Sequence, residues 1–92
     1  MNREEALSLL NDKLDEYRKL RYDQLAARVS DEEFPEMVGP SGTPYQMEIQ
    51  IIWDDKPDGV VRVLAAIDDG GWRAFMPLCA DLIMTPDGEA NE

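Results

Sequence analysis

The side chains with chemical potential in this chain are few: Tyr17, Tyr22 and Tyr45, the acidic pairs Asp54-Asp55 and Asp68-Asp69, Arg62 and Arg73, and a lone Cys79. There is no histidine, which removes the commonest general base, proton shuttle and metal ligand together. A single thiol without histidine builds neither a structural zinc site nor a Cys–His nucleophile. Asp54-Asp55-Lys56-Pro57-Asp58-Gly59 superficially resembles a calcium loop. Lysine holds its third position, however, and Ala65 stands at the twelfth, where such loops carry glutamate. Gly70-Gly71 reads as a hairpin turn rather than a glycine-rich loop opening a phosphate-binding helix. The two acidic pairs fall at opposite ends of one hairpin, about 27 Å apart at the rise of a strand. A carboxylate dyad must close to ~5–10 Å. Cys79, with no basic neighbour in sequence, reads as a buried, inert thiol. No catalytic residue, metal or cofactor is implied.

The bulk composition points the same way. Ninety-two residues with 43% hydrophobic and 32% charged content suit one small domain that folds only if its helix and sheet bury most of their apolar surface against each other. No apolar run is long enough to span a bilayer, and the first residues lack the basic-then-apolar layout of a signal peptide. With one cysteine, these features predict a cytoplasmic protein. The net charge of −11 is concentrated. Residues 1–29 hold six basic and six acidic groups, whereas residues 30–92 set Lys56, Arg62 and Arg73 against fourteen carboxylates. Such a field repels phosphate backbones and attracts cationic proteins, although it also serves plain solubility. Nucleic-acid and membrane partners are not expected.

The elements that must position these groups are legible as periodicity. Leu7, Leu10, Leu14 and Tyr17 form one stripe of an amphipathic helix over residues 3–20. Past Leu20 the stripe shifts to Tyr22, Leu25, Ala26 and Val29; with no proline or glycine there, a continuous helix bent near Arg21 is favoured over a second short helix. Residues 22–30 look like the first helix of a helix-turn-helix, but the acidic Asp31-Glu32-Glu33-Phe34-Pro35 follows in place of a basic recognition helix. Residues 30–44 form a connection with a short edge strand, Glu36-Met37-Val38, returning through Gly39-Pro40-Ser41-Gly42.

Residues 45–85 read as an antiparallel sheet. In the first long strand Tyr45, Met47, Ile49, Ile51 and Trp53 point to one face and Gln46, Glu48 and Gln50 to the other. A Lys56-Pro57-Asp58-Gly59 type I turn with Gly59 left-handed sets Trp53 opposite Val63, Ile51 opposite Ala65, Ile49 opposite Ile67 and Ile52 opposite Leu64. It also brings Asp54 to Arg62. A third strand, Trp72–Leu78, then sets Phe75 opposite Leu64. Asp81–Thr85 supplies one further short strand, and residues 86–92 a flexible tail. The fold class is α+β, with an N-terminal amphipathic helix on one face of a three- to four-stranded antiparallel meander; Trp53 and Trp72 are expected beneath it.

The face left bare would carry Ile52, Leu64 and Phe75 in a row, flanked by Gln46, Gln50, Arg62 and Arg73. Scattered apolar residues on a surface are ordinary; three aligned across adjacent strands, rimmed by polar groups, resemble a small interface. The expected function is a non-catalytic protein-interaction module, with a homodimer through Ile52, Leu64, Phe75, Arg62, Arg73 and Gln50 as its simplest version. The alternatives are an immunity- or antitoxin-like protein masking a basic partner, and a ligand-binding or enzymatic domain with a helix–sheet pocket offering Tyr17, Tyr22, Tyr45, Arg62 and Arg73.

Overall fold

A computed structural model describes residues 2–70, 77–87 and 90–91. The chain opens on helix α1 (Arg3–Arg18), whose first turn is capped by the Asn2 side chain accepting from the Glu5 amide at 3.1 Å. Glu4 and Glu5 at its start and Arg18 at its end match the helix dipole. Ala6, Leu10, Leu14 and Tyr17 are its buried stripe, and Leu7 packs half-buried beside them. The chain then breaks rather than bends. Arg21 is extended (φ −76°, ψ 160°) and starts a separate helix α2 (Tyr22–Ala26). Gln24 reaches back to accept from the Arg21 amide at 2.8 Å, satisfying a donor that a continuous helix would have used internally.

Among the described residues six strands follow: β1 (Glu32–Glu33), β2 (Glu36–Val38), β3 (Pro44–Trp53), β4 (Val61–Asp68), β5 (Leu78–Met84) and β6 (Ala90–Asn91). All pairings are antiparallel. β1 and β2 lie along the same edge of β3, so they amount to one edge strand interrupted at Phe34-Pro35; β3, β4, β5 and β6 succeed one another across the sheet. The β2–β3 turn closes through the Gly42 amide to the Gly39 carbonyl at 2.9 Å, with Gly42 at φ 87°. A Cβ at Gly39 would come within 2.2 Å of Glu5 Oε1 and 2.9 Å of Tyr45 Cε2, so a side chain there would displace the Glu5 carboxylate from Ser41.

The expected faces are right but the expected register is not. Trp53 pairs with Val61, Ile51 with Val63, Ile49 with Ala65 and Ile52 with Arg62, a shift of two residues that conserves every side chain's face. The cause is a longer connection. Asp54 donates from its amide to the Val60 carbonyl at 2.8 Å, leaving residues 55–59 as the loop. The left-handed residue in it is Asp58 (φ 65°), not Gly59; short acidic and amide side chains tolerate that conformation. A second correction concerns the strand beside β4. It is Leu78–Met84, with Val61 opposite Met84 and Leu64 opposite Asp81. Phe75, Trp72 and Arg73 lie outside the described residues. The Ile52–Leu64–Phe75 row is therefore not formed as expected, because Leu64 stands between Gln50 and Asp81. Ala90–Asn91 pair with Ile83 and Met84 where a frayed tail was expected.

Both helices cover the same face. Tyr45, Met47, Ile49, Ile51, Val61, Val63, Ala65, Ile67, Leu82 and Met84 form one core with the α1 stripe and Leu25. α2 is tied to the far hairpin by the Tyr22 hydroxyl, which donates to the Gly59 carbonyl at 2.6 Å. Trp53 packs half-buried at that end of the core. Truncating Leu14 to alanine is expected to cost about 2–5 kcal/mol of unfolding free energy, measured by urea denaturation. Tyr22→Phe is expected to cost only about 0.5–1.5 kcal/mol, the net value of one hydrogen bond.

Candidate functional site: the helix-free face of the sheet

The tyrosines expected to line a helix–sheet pocket do not converge. The Tyr17 hydroxyl donates to Glu33 Oε1 at 2.7 Å, under Lys13 and Arg28, whose charged groups lie 5.9 and 5.4 Å from its ring centroid. Arg28 also reaches Glu33 Oε1 at 2.5 Å, and Lys13 reaches Glu33 Oε2 at 3.5 Å. The Tyr17 hydrogen bond, joined by those cations, holds the Glu33 carboxyl below its usual range. Burial and the bond to Glu33 push the Tyr17 phenol well above its own. Tyr22 is committed to the hairpin loop. Tyr45 sits at the opposite end, its hydroxyl buried with no hydrogen-bond partner among the described residues, and burial followed by the nearby Glu5 carboxylate raises its pKa. Glu5 in turn accepts from the Ser41 amide and hydroxyl at 3.1 and 2.8 Å, bonds that lower its own pKa. These are struts between helix and sheet.

On the other face the register places side chains in cross-strand rows: Ile52–Arg62–Ile83, then Gln50–Leu64–Asp81, then Glu48–Ala66–Cys79, with Gln46–Asp68 beyond. Leu64 is thus diagonal to Ile52, Ile83 and Cys79, within reach of long side chains on a twisted sheet. Arg62 is held rather than free. It contacts Asp54 at 2.6 Å and also pairs with Asp81, and the Asp54 hydrogen bond raises its already high pKa. The Asp54–Arg62 pair expected from sequence does form, although across a diagonal rather than between direct partners. Cys79 is exposed on this face, contrary to the buried thiol expected. Its strand neighbours Leu78 and Ala80 take the core side instead.

Two shallow depressions adjoin here. One, about 240 Å³, runs over Gln50, Leu64, Ala66 and Cys79; the other, about 230 Å³, runs over Phe34, Glu36, Gln46, Asp68 and Pro77. Glu48 and Ala66 border both. Phe34, at 63% exposure, and Val38, at 68%, are the large hydrophobics most exposed among the described residues. Phe34 is the residue that periodicity missed. It sits in the break between β1 and β2, and its only signal was an aromatic alone in the acidic run Asp31–Glu36. Among the described residues, no three histidine, cysteine, aspartate or glutamate side chains gather as a metal site would require, and no helix is long and apolar enough to cross a membrane. No protein-family model, curated protein or solved structure matches the chain.

The Glu33 cluster makes a pH prediction. A carboxyl with a lowered folded pKa contributes stability that is present above its unfolded value and lost as pH falls through the folded one. Glu33→Gln is therefore expected to be less stable than the parent at neutral pH, and the gap is expected to narrow below about pH 5, read from urea midpoints across the acid range.

Proposed function

We propose that this protein is a non-catalytic protein-interaction module that binds through the helix-free face of its sheet. The observation that carries the reading is the one-sided cover: both described helices pack on one face, while Ile52, Leu64, Ala66 and Ile83 stay partly accessible on the other. Apolar side chains on a flat, polar-rimmed surface gain most from being covered by another protein. The tyrosines and arginine that a helix–sheet pocket would need are already engaged in structural contacts or dispersed, which weighs against the enzymatic alternative.

Two kinds of protein fit such a face. A second copy would be joined about a two-fold axis. A basic protein would be attracted by the acid gathered on this half of the chain, which is how an immunity- or antitoxin-like protein would mask a cationic toxin. The charge distribution favours the second, since a two-fold axis brings Glu32, Glu36, Glu48 and Asp68 into one interface with their own copies.

Cys79 offers a direct test, being the chain's only cysteine and exposed on this face. With a photoactivatable benzophenone attached there, irradiation in an extract of the source cells is expected to give one discrete higher-mass adduct. A folded Leu64→Asp variant should lose it. Absence of an adduct, or one indifferent to Leu64→Asp, contradicts the reading; an adduct of twice the chain's own mass identifies the partner as a second copy.

A further inference from the structure

The two depressions on the helix-free face act as one groove running across the strands from Phe34 to Cys79. They meet over Ala66, whose methyl group makes the floor low, and Glu48 stands between them. One end is walled by the exposed Phe34 ring, the other by Leu64 and Cys79. The rim is carboxylate. Glu36 and Glu48 are exposed and Asp68 is half-exposed, and among the described residues none of the three is paired with a cation. Arg62, the one described cation of this face, is already neutralised by Asp54 and Asp81. Glu48 receives a hydrogen bond from Gln50 Nε2 at 3.1 Å, and Asp68 from the Gly70 amide at 2.8 Å. Each leaves carboxylate lone pairs for an incoming donor.

We infer that this groove is the recognition site for a cationic, partly apolar protein segment, one that lays arginine or lysine stems over Ala66 and Phe34 with their charged heads on Glu36, Glu48 and Asp68. The inference rests on the interaction-module reading and adds to it the place and the chemistry of the partner. Arginine suits both requirements, because its stem and guanidinium plane cover apolar and aromatic surface while its fork pairs with carboxylates. Glu48 directly across from Ala66 and Asp68 two residues along its strand match that shape; a neutral or acidic segment would leave them facing apolar or like-charged groups. Association should be fast and strongly salt-dependent, as steering by one sign of charge requires.

Backbone amide NMR of the whole isotope-labelled chain, titrated with a hexapeptide alternating arginine and leucine, tests this. Shifts are expected to concentrate at Phe34, Glu48, Ala66 and Cys79, with a hexapeptide alternating glutamate and leucine giving none. Glu48→Gln and Asp68→Asn, both exposed enough to leave the fold intact, are each expected to weaken binding by about two- to fivefold. Ala66→Met, which raises the floor, should abolish the localised shifts. Shifts spread over every acidic segment, including Asp55 and Asp58, would reduce the effect to bulk charge and overturn the inference. Shifts on the same face that appear on concentrating the protein alone, with none from the basic peptide, would overturn the cationic partner but uphold the face as an interface between copies. No shift in either titration would sink both readings.

Discussion

Everything in this molecule depends on one geometric constraint: successive strand residues point to opposite faces, and only one face of the β3–β4 ribbon can be dry. Tyr45, Met47, Ile49 and Ile51 on β3 and Val61, Val63, Ala65 and Ile67 on β4 are all buried on that face. A slip of one residue would turn these side chains into water and bring Gln46, Glu48 and Gln50 under the helix. The two strands thus fix each other's orientation. α1 needs only to present Ala6, Leu10, Leu14 and Tyr17 to a surface already defined, and the polar struts at its two ends, Glu5 to Ser41 and Tyr17 to Glu33, set where along the sheet it lies.

The same constraint explains which features were legible in the residues and which were not. Faces followed from alternation alone. Register did not, because a two-residue shift keeps every face and only the loop can decide it; the loop was decided by whether Asp58 or Gly59 took the left-handed conformation. The strand beside β4 was misplaced for a related reason. Trp72, Ala74, Met76, Leu78, Ala80, Leu82 and Met84 are a single run of one parity, so periodicity cannot say which of them stands opposite a given residue of β4. The helix break at Arg21 carried no proline, glycine or short polar cap, only a glutamine three residues on.

For the candidate site the consequence is a change of centre. Sequence placed it on Ile52, Leu64 and Phe75, through direct cross-strand partners that the true register separates. Gln50, Leu64 and Arg62 do lie on the helix-free face, but Arg62 is occupied by two aspartates. Among the described residues, the most accessible large apolar groups are Phe34 and Val38, along an edge too short to show a period. Cys79 faces outward because Leu78 and Ala80 face inward, a parity that could be read only once β5 was known to begin at Leu78.

The interruption between β1 and β2 has a meaning of its own. A sheet edge offers unpaired amides and carbonyls on which a foreign strand can grow, the first step of amyloid-like stacking. Here the Pro35 carbonyl turns inward to accept from the Met47 amide at 2.9 Å, proline has no amide to return to β3, and the exposed Glu32 and Glu36 flank this weakened stretch of edge with charge. An aromatic as exposed as Phe34 would ordinarily be a seed for aggregation. Set between glutamates, it can be offered to a partner's side chains while the like charge of a second copy's edge opposes strand-on-strand stacking.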